Sequence, residues 1–209
     1  MAGDAQPTES HPAPPLYRTD RLNALSDGVF SIVLTLLVLD LKLPVRNESI
    51  LTLMADDWHV FLAWLISFIA IARFWLVHHS ITASLHQCHV GTLSRNFGVL
   101  GAVTLVPFSA DIIGTERVQE PWSTVLFAVN LGLLSLTLGL LARHAVTEPN
   151  LRHPDHSVAE LSRHLNHHLY LLPAVTVVAA LLAFVEPYLA LGAIAVEFLV
   201  FGWLTGRRR

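Results

Sequence analysis

Charged side chains are scarce in this chain of 209 residues, where Asp, Glu, Lys and Arg together make up 14%. An average soluble domain is about 25% charged, because water must solvate its surface. Apolar residues, in contrast, make up 53% of the chain and gather in long blocks. The shortage of charge excludes an ordinary soluble domain and indicates an integral membrane protein.

Other absences exclude further classes of protein. The single cysteine, Cys88, rules out an internal disulfide, and a net charge of -3 gives no basic surface for nucleic acid. No Ser/His/Asp nucleophile set, glycine-rich phosphate loop or zincin-like histidine pair is present, so neither an enzyme nor a cofactor site is expected. The first 17 residues have no apolar core, which argues against a signal peptide and predicts a disordered cytoplasmic tail over 1–20.

The apolar blocks are long enough to be membrane spans, because a helix crosses the hydrocarbon core with about 20 residues. Six blocks predict an all-α integral membrane protein with six transmembrane helices, at 22–42, 59–80, 92–113, 121–143, 168–185 and 187–205. Pro107 and Pro173 lie inside apolar runs and should kink or start helices locally. We expect one transmembrane domain over 21–205 and a basic cytoplasmic C-terminus at 206–209.

Lysine and arginine are distributed unevenly between the two sides that six spans define. One side receives ten arginines, namely Arg18, Arg21, Arg73, Arg95, Arg143, Arg152, Arg163, Arg207, Arg208 and Arg209. The other side receives only Lys42, Arg46 and Arg117. Because positive charge accumulates in cytoplasmic loops, both termini are expected in the cytoplasm.

The first span carries a stripe of residues with helical spacing. Positions i, i+3, i+4 and i+7 lie on one face of a helix, and here they are Ile32, Thr35, Leu36 and Leu39. Such a stripe either packs against another span or lines a narrow pore when several copies surround an axis. Both alternatives remain open on spacing alone.

Polar residues near one end of the first three spans form a second pattern. A carboxylate such as Asp27 is costly in lipid and must face protein or water. Trp75 and His78 share a helix face at the end of the second span, and Asn96 opens the third. We therefore expect one polar cluster, made of Arg21, Ser26, Asp27, Trp75, His78 and Asn96. The cluster is either a structural network that orients helices or a proton relay.

Histidines and two further polar residues also lie within or beside the spans. The chain has 12 histidines, but a zinc site needs three or four ligands in a defined geometry, and His164-x-x-His167-His168 supplies two. No metal site is expected, and a response to pH is the alternative reading of the histidines. Asn130 and Glu197 lie mid-span and should face the bundle. Asn130 is expected to hydrogen-bond another helix, and Glu197 to be protonated or paired.

Two segments carry a family resemblance. Arg21-x-x-x-Leu25-Ser26-Asp27-Gly28 resembles the Arg-x-x-x-Phe-Ser-Asp signature of the transmembrane protein 175 family, with Leu25 in place of Phe. Phe74-Trp75-x-x-His78 is similar to the second-span motif of the same family, and Pro107-Phe108 lies in the third span as in its members. The family comprises potassium-permeable channels, and the resemblance extends from Arg21 to about Trp203.

The resemblance implies an assembly and roles for individual residues. Members of this size are homotetramers in which the first helix lines a central pore. Ile32 then corresponds to the hydrophobic constriction, Thr35 and Leu39 to the next pore layers, and Leu36 lies on the same stripe. The polar cluster would brace the pore helix. The implied partners are three further copies of the chain, the lipid bilayer and potassium as the permeant ion.

Three functions follow from these patterns. The first is a passive potassium leak channel in the bacterial cytoplasmic membrane, weakly selective for potassium over sodium. The Thr-Val-Gly-Tyr-Gly carbonyl filter of ordinary potassium channels is absent, so selectivity would arise at an Ile, Thr and Leu constriction. The second is a proton-conducting channel or proton-coupled transport protein, which ion substitution would distinguish. The third, a membrane enzyme or a binding partner that conducts nothing, ranks last.

Overall fold

The computed structural model describes residues 16–41, 58–114 and 120–206, with side chains omitted at 40 and 201–206. The described residues form helices joined by short connections, together with two strands of two residues, β1 and β2. The helices are α1 Thr19–Leu36, α2 Trp58–Ala83, α3 Val90–Thr104, α4 Val106–Gly114, α5 Pro121–Thr147, α6 Val158–Asn166, α7 Leu172–Leu182 and α8 Pro187–Gly206. A 3₁₀ turn, Leu37–Asp40, extends α1, and a π turn, His167–Leu171, joins α6 to α7.

Five helical stretches are long and apolar enough to cross a membrane. They are Thr19–Leu39, Trp58–Ala83, Val90–Gly114, Pro121–Thr147 and Val158–Leu182. These correspond to the first five predicted spans, and the protein is a multi-pass membrane protein. The sixth predicted span, 187–205, is helical as α8, but its apolar stretch Pro187–Val200 is shorter. A sixth crossing therefore stays a prediction.

The boundaries of several predicted segments differ from those observed. α1 begins at Thr19 and β1 occupies Tyr17–Arg18, so the end of the predicted tail over 1–20 is ordered, whereas 1–15 lie outside the described residues. The fifth span begins at Val158 instead of 168. The first turns of this span are charged on one side, and in the sequence such a polar stretch resembles a loop. On the other side of the helix, Leu161 and His164 are buried. Of the predicted basic C-terminus, 207–209 lie outside the described residues.

The prolines inside apolar runs lie where helices start, which is one of the two predicted outcomes. Proline lacks the N–H that would continue the helical ladder, and its ring clashes with the preceding turn. Accordingly α3 ends at Thr104 and α4 begins at Val106, immediately before Pro107. Pro173 lies in the first turn of α7, directly after the π turn.

Helix α5 is the centre of the bundle and contacts α3, α4, α6 and α7. Its contact with the π turn is close enough to require glycine. A Cβ atom placed on Gly139 would lie 2.8 Å from the backbone nitrogen of Leu169 and 3.0 Å from the carbonyl carbon of His168. Any larger residue there would push the π turn away from α5.

The start of α1 is fixed by backbone contacts with the connection after α2. β1 pairs antiparallel with β2, Gln87–Cys88, in the register Tyr17 to Cys88 and Arg18 to Gln87. The hydroxyl of Thr19 donates to the carbonyl oxygen of Leu85 at 3.2 Å. α1 then runs along α2 and α3, and its buried face presents Leu22, Ser26, Phe30, Val33 and Leu37 to them.

Candidate functional site

The other face of α1 has no partner within the subunit. Ile32 is 59% exposed and Leu39 is 73% exposed, while Leu36 is 42% exposed. Thr35 is exposed on the same face. The four residues of the predicted stripe are thus brought together on a surface that the rest of the chain leaves open. The large apolar surface requires cover by lipid or by further subunits.

The helix type changes within this stripe. α1 is an α-helix up to Leu36 and a 3₁₀ helix from Leu37 to Asp40. In a 3₁₀ helix, residues three apart lie in line with each other. Leu36 and Leu39 therefore stack along one edge, and the exposed face continues through the change of helix type.

Thr35 is the polar member of the stripe, and its hydroxyl is oriented by its own helix. The hydroxyl donates to the carbonyl oxygen of Ile32 at 2.8 Å. A hydroxyl has one proton and two lone pairs. Because the proton is held by the backbone, the lone pairs are available to accept hydrogen bonds from water or to coordinate a cation on the exposed side.

On the buried face, Ser26, Asn96 and His78 form a chain of hydrogen bonds. The Asn96 amide nitrogen donates to Ser26 Oγ at 3.0 Å, and Ser26 Oγ donates to the Leu22 carbonyl at 2.8 Å. His78 Nε2 lies 2.7 Å from Asn96 Oδ1. An amide oxygen only accepts, so Nε2 of His78 carries the proton. All three side chains are almost fully buried.

Asp27 is held by a second, separate contact. The indole Nε1 of Trp75 donates to Asp27 Oδ1 at 2.8 Å, and the Trp75 ring stacks on His79 with centroids 5.5 Å apart. Arg21 is exposed and makes no hydrogen bond or ion pair with any described residue. The structure therefore brings together five of the six predicted cluster residues, in two sets, and leaves Arg21 apart.

These bonds determine what the cluster can do chemically. The Asn96 amide stands between Ser26 and His78, and an amide does not readily release or take up a proton. The Trp75 indole, which is bonded to Asp27, is a donor only. The geometry favours a network that fixes α1 against α2 and α3 over a proton relay along these residues.

Two further polar contacts involve mid-span residues. The amide of Asn130 donates to Ser109 Oγ at 3.0 Å, which confirms the expected bond between helices. Glu197 Oε1 lies 2.6 Å from His167 Nε2, so the partner that the sequence left unidentified is a histidine. The placement of His167 in a predicted loop concealed this pair, although its spacing from His164 indicated a common helix face.

The histidines do not gather into a metal centre in the described ranges. No group of three or more His, Cys, Asp or Glu side chains there is arranged to hold a metal ion. Cys88 is buried beside β1, and its thiol donates to the Tyr17 carbonyl at 3.6 Å. Burial raises the pKa of the Cys88 thiol.

Comparison with protein families connects this helix to known channels. Residues 21–107 match the family model described as endosomal/lysosomal potassium channel TMEM175. The match covers the exposed stripe of α1 and every residue of the two hydrogen-bonded sets, Ser26–Asn96–His78 and Asp27–Trp75. It begins at Arg21 and ends at Pro107, where the third span breaks.

Several curated relatives are similar over most of the chain. A potassium channel of Chamaesiphon minutus is 29% identical over 199 residues, which are 90% of this chain and 96% of the relative. A potassium channel of a Chryseobacterium species is 27% identical over 90% of this chain and 94% of the relative. The endosomal/lysosomal proton channel TMEM175 of Danio rerio is 33% identical, over 46% of this chain and 19% of the relative.

Solved structures show the same fold. The crystal structure of a lysosomal potassium-selective channel TMEM175 homolog from Chamaesiphon minutus superposes with a TM-score of 0.77 at 26% identity, over 88% of this chain and 96% of that one. The potassium channel MtTMEM175 superposes with a TM-score of 0.63 at 16% identity, which is a likeness of fold. In its matched segment, its relatives and its fold, the chain resembles the TMEM175 family.

Proposed function

We propose that the protein is a potassium-permeable leak channel whose pore is lined by the exposed face of α1. The observation that supports this proposal is the unpartnered stripe of Ile32, Thr35, Leu36 and Leu39 in a helix whose opposite face is fully packed. A helix of this kind is completed by copies of itself around an axis. The bacterial relatives of nearly the same length are named potassium channels.

The proposed assembly is a homotetramer in the bacterial cytoplasmic membrane, with six spans per subunit and both termini in the cytoplasm. Four copies of α1 surround the pore, and the two hydrogen-bonded sets hold each copy against α2 and α3. Arg21 is exposed within a single copy of the chain, and the proposal assigns it to the group of residues that brace α1. The arginine distribution supports the orientation.

The proposed constriction works by dehydration. Four Ile32 side chains form an apolar ring without oxygen ligands, so an ion loses part of its water shell when it passes. Potassium holds its water less tightly than sodium, and the ring therefore favours potassium weakly. Thr35 lies one turn away, and its outward lone pairs replace some of the lost water oxygens.

The test is the reversal potential of the purified protein in planar bilayers under a potassium/sodium bi-ionic gradient. The wild type should show a potassium-favouring potential, and Ile32→Asn should raise the conductance and collapse the preference by wetting the ring. Val177→Asn, at a residue 60% exposed on α7, is the matched control and should behave as wild type. Equal behaviour of wild type and Ile32→Asn would exclude Ile32 as the constriction.

Proton conduction is the second candidate, because the vertebrate relatives are named proton channels. Their match covers under half of this chain, whereas the bacterial relatives match 90%. Replacing all potassium and sodium with an impermeant cation separates the two functions. A current that persists and follows the pH gradient would identify a proton channel.

A further inference from the structure

A second group of ionisable side chains lies away from the exposed face of α1, between α2, the α6–α7 stretch and α8. We call it the peripheral cluster, and it consists of Arg73, His164, His167, His168 and Glu197. At its centre, His167 Nε2 and Glu197 Oε1 are 2.6 Å apart, and the two side chains are only 5% and 9% exposed. An ionisable pair buried at membrane depth is costly and marks a functional site by default.

The cluster borders an open groove on the surface of the chain. A groove of about 550 Å³ runs along α6 and reaches His167. Its polar lining includes Ser162, Arg163 and Asn166, and its apolar lining Ala159 and Leu171. The polar groups of this lining can hold water, which would let a proton approach the imidazole of His167.

Charged and titratable groups face the pair from α2 and α6, whereas α5 and α7 contribute none. From α2, the guanidinium of Arg73 lies near enough to Glu197 and to His168 for their charges to interact. From α6, His164 Nε2 is 3.9 Å from Glu160 Oε1 and lies near Ser80 of α2. α5 contributes the uncharged Ser135, and the sequence of α7 contains no ionisable side chain.

The π turn fixes the histidines in place. Ser135 of α5 donates to the His168 carbonyl at 2.9 Å and lies 3.1 Å from His168 Nδ1. The His167 and His168 rings meet edge to face with centroids 4.6 Å apart. Isolated π turns inside α-helices occur often at functional sites, because the extra residue re-aims the side chains of one turn.

The hydrogen bond between His167 and Glu197 is compatible with two charge states. A neutral imidazole that donates from Nε2 to a carboxylate gives the pair one negative charge. Addition of one proton makes the pair neutral, as either an ion pair or two uncharged groups. Uptake of a proton therefore changes the charge facing Arg73 by one unit in a region that excludes bulk water, where electrostatic interactions are strong.

Helix α2 connects this cluster to α1. Phe74 contacts both sides of the cluster, with ring centroids 5.7 Å from His168 and 5.5 Å from Phe198 of α8. The next residue along, Trp75, holds Asp27 of α1, and His78 one turn further holds Asn96. A shift of α2 against α8 thus reaches both hydrogen-bonded sets that fix α1.

We propose that His167 and Glu197 form a proton-binding site outside the pore, and that its occupancy controls conduction through the position of α2. Protons reach the site through the groove along α6 and bind between the π turn and α8. The control of conduction rests on the proposed channel function, whereas proton binding at the pair does not.

Proton binding is tested first without any current. Infrared difference spectra of the protein in lipid nanodiscs, recorded between two pH values, should show a signal of a buried carboxyl group. Glu197→Gln should remove that signal, and His167→Gln should shift its pH midpoint. Glu160→Gln, which changes a half-exposed carboxylate at the rim of the cluster, should leave it in place. A spectrum that is unchanged in Glu197→Gln would overturn the proposal.

Control of conduction is tested next on the same variants. Potassium current through the wild type should depend on pH, and Glu197→Gln and His167→Gln should lose that dependence while their reversal potential stays at the wild-type value. Glu160→Gln should retain both properties. If the infrared carboxyl signal is found but the current of both variants still depends on pH, the proposed control of conduction is overturned. If the wild type carries no current at any pH, the channel function is contradicted. The infrared result still decides whether His167 and Glu197 bind a proton.

Discussion

The two faces of α1 are similarly hydrophobic, but they differ in burial and in polar contacts. One face presents Phe30 and Val33, fully packed against α2 and α3, and two sets of hydrogen bonds. The opposite face presents Ile32 and Leu39, which touch little within the subunit although they are as apolar as the packed residues. Apolarity alone therefore does not decide which residues form the core of a membrane protein, since lipid solvates both faces equally well.

Polar side chains determine which face of α1 is turned toward α2 and α3. Ser26 and Asp27 precede the apolar run and direct one edge of α1 toward Asn96 and Trp75. An unpaired polar group is expensive in lipid, so these bonds fix the rotation of the helix about its axis. Once the rotation is fixed, the stripe that begins at Ile32 must face away from the subunit.

The largest expected effect is on stability, from Phe30→Ala on the packed face. Phe30 is fully buried and its ring lies 5.4 Å from that of His78. Lipid solvates an unpacked phenylalanine almost as well as the protein interior does, so burial gains little transfer free energy. We therefore expect a loss at the lower end of the usual range for Phe→Ala, about 3 kcal/mol of unfolding free energy. Unfolding in a denaturing detergent, followed by circular dichroism, measures it. Ile32→Ala is the matched control, and an equal loss in both would refute the distinction between faces.

Next in size is Asn96→Leu, which removes the central amide of the buried network. The change leaves the His78 Nε2 donor and the Ser26 hydroxyl with one partner fewer, and a buried unsatisfied group costs about 1–3 kcal/mol. The loss should appear in the same unfolding assay. Ser94→Ala, at an exposed serine that bonds only its own helix, is the control and should change stability little.

A smaller effect on stability and a clear one on activity are expected for Trp75→Phe. The substitution keeps an aromatic ring and removes only the N–H that donates to Asp27. A hydrogen bond to a charged group contributes about 1.5–3 kcal/mol, and the exposure of Asp27 places this one at the low end. Channel open time should fall and the reversal potential should not move. Trp122→Phe, 69% exposed, should leave both properties unchanged.

The smallest change is expected from Thr35→Val, on the exposed face. The variant keeps the shape of the side chain and removes the oxygen whose lone pairs point outward. A neutral oxygen contact contributes about 0.5–1.5 kcal/mol net, so potassium preference should fall by less than about tenfold. Bi-ionic reversal potentials measure the fall. Thr104→Val, at an exposed threonine with the same type of backbone bond, should show none.

Much of this arrangement can be predicted from sequence, because a helix fixes the relative positions of its own residues. Spacing alone puts Ile32, Thr35, Leu36 and Leu39 on one face, and the cost of Asp27 in lipid requires a partner. Spacing also places Trp75 and His78 near the same end of their span, but it does not decide which of the two bonds to Asp27. Arg21 was grouped with the cluster by proximity in sequence, yet it is exposed, because its long side chain can remain in water.

The peripheral cluster was not predictable in the same way. The bond between His167 and Glu197 joins two helices, and it depends on how far along the membrane each helix begins. The polar residues before His168 read as a loop, whereas α6, the π turn and α7 form one continuous helical stretch. No periodic pattern in sequence reveals a π turn, since it is selected by the close contact with Gly139 and Ser135.

The single cysteine makes the central claim directly testable. Cys88 is buried and its pKa is raised by that burial, so little reactive thiolate is present and the residue reacts slowly with a charged thiol reagent. The reaction of a cysteine introduced on α1 can therefore be measured with little contribution from Cys88. Ile32 and Val33 are adjacent in sequence and lie on opposite faces of the helix, with 59% and 2% exposure.

The measurement is block of potassium current by a charged thiol reagent in Ile32→Cys and Val33→Cys channels. The account predicts rapid block of Ile32→Cys, and of Leu39→Cys, with protection of Val33→Cys over the same period. Block of Val33→Cys at the same rate, or an Ile32→Cys channel that reacts and still conducts fully, would contradict a pore lined by the exposed face of α1.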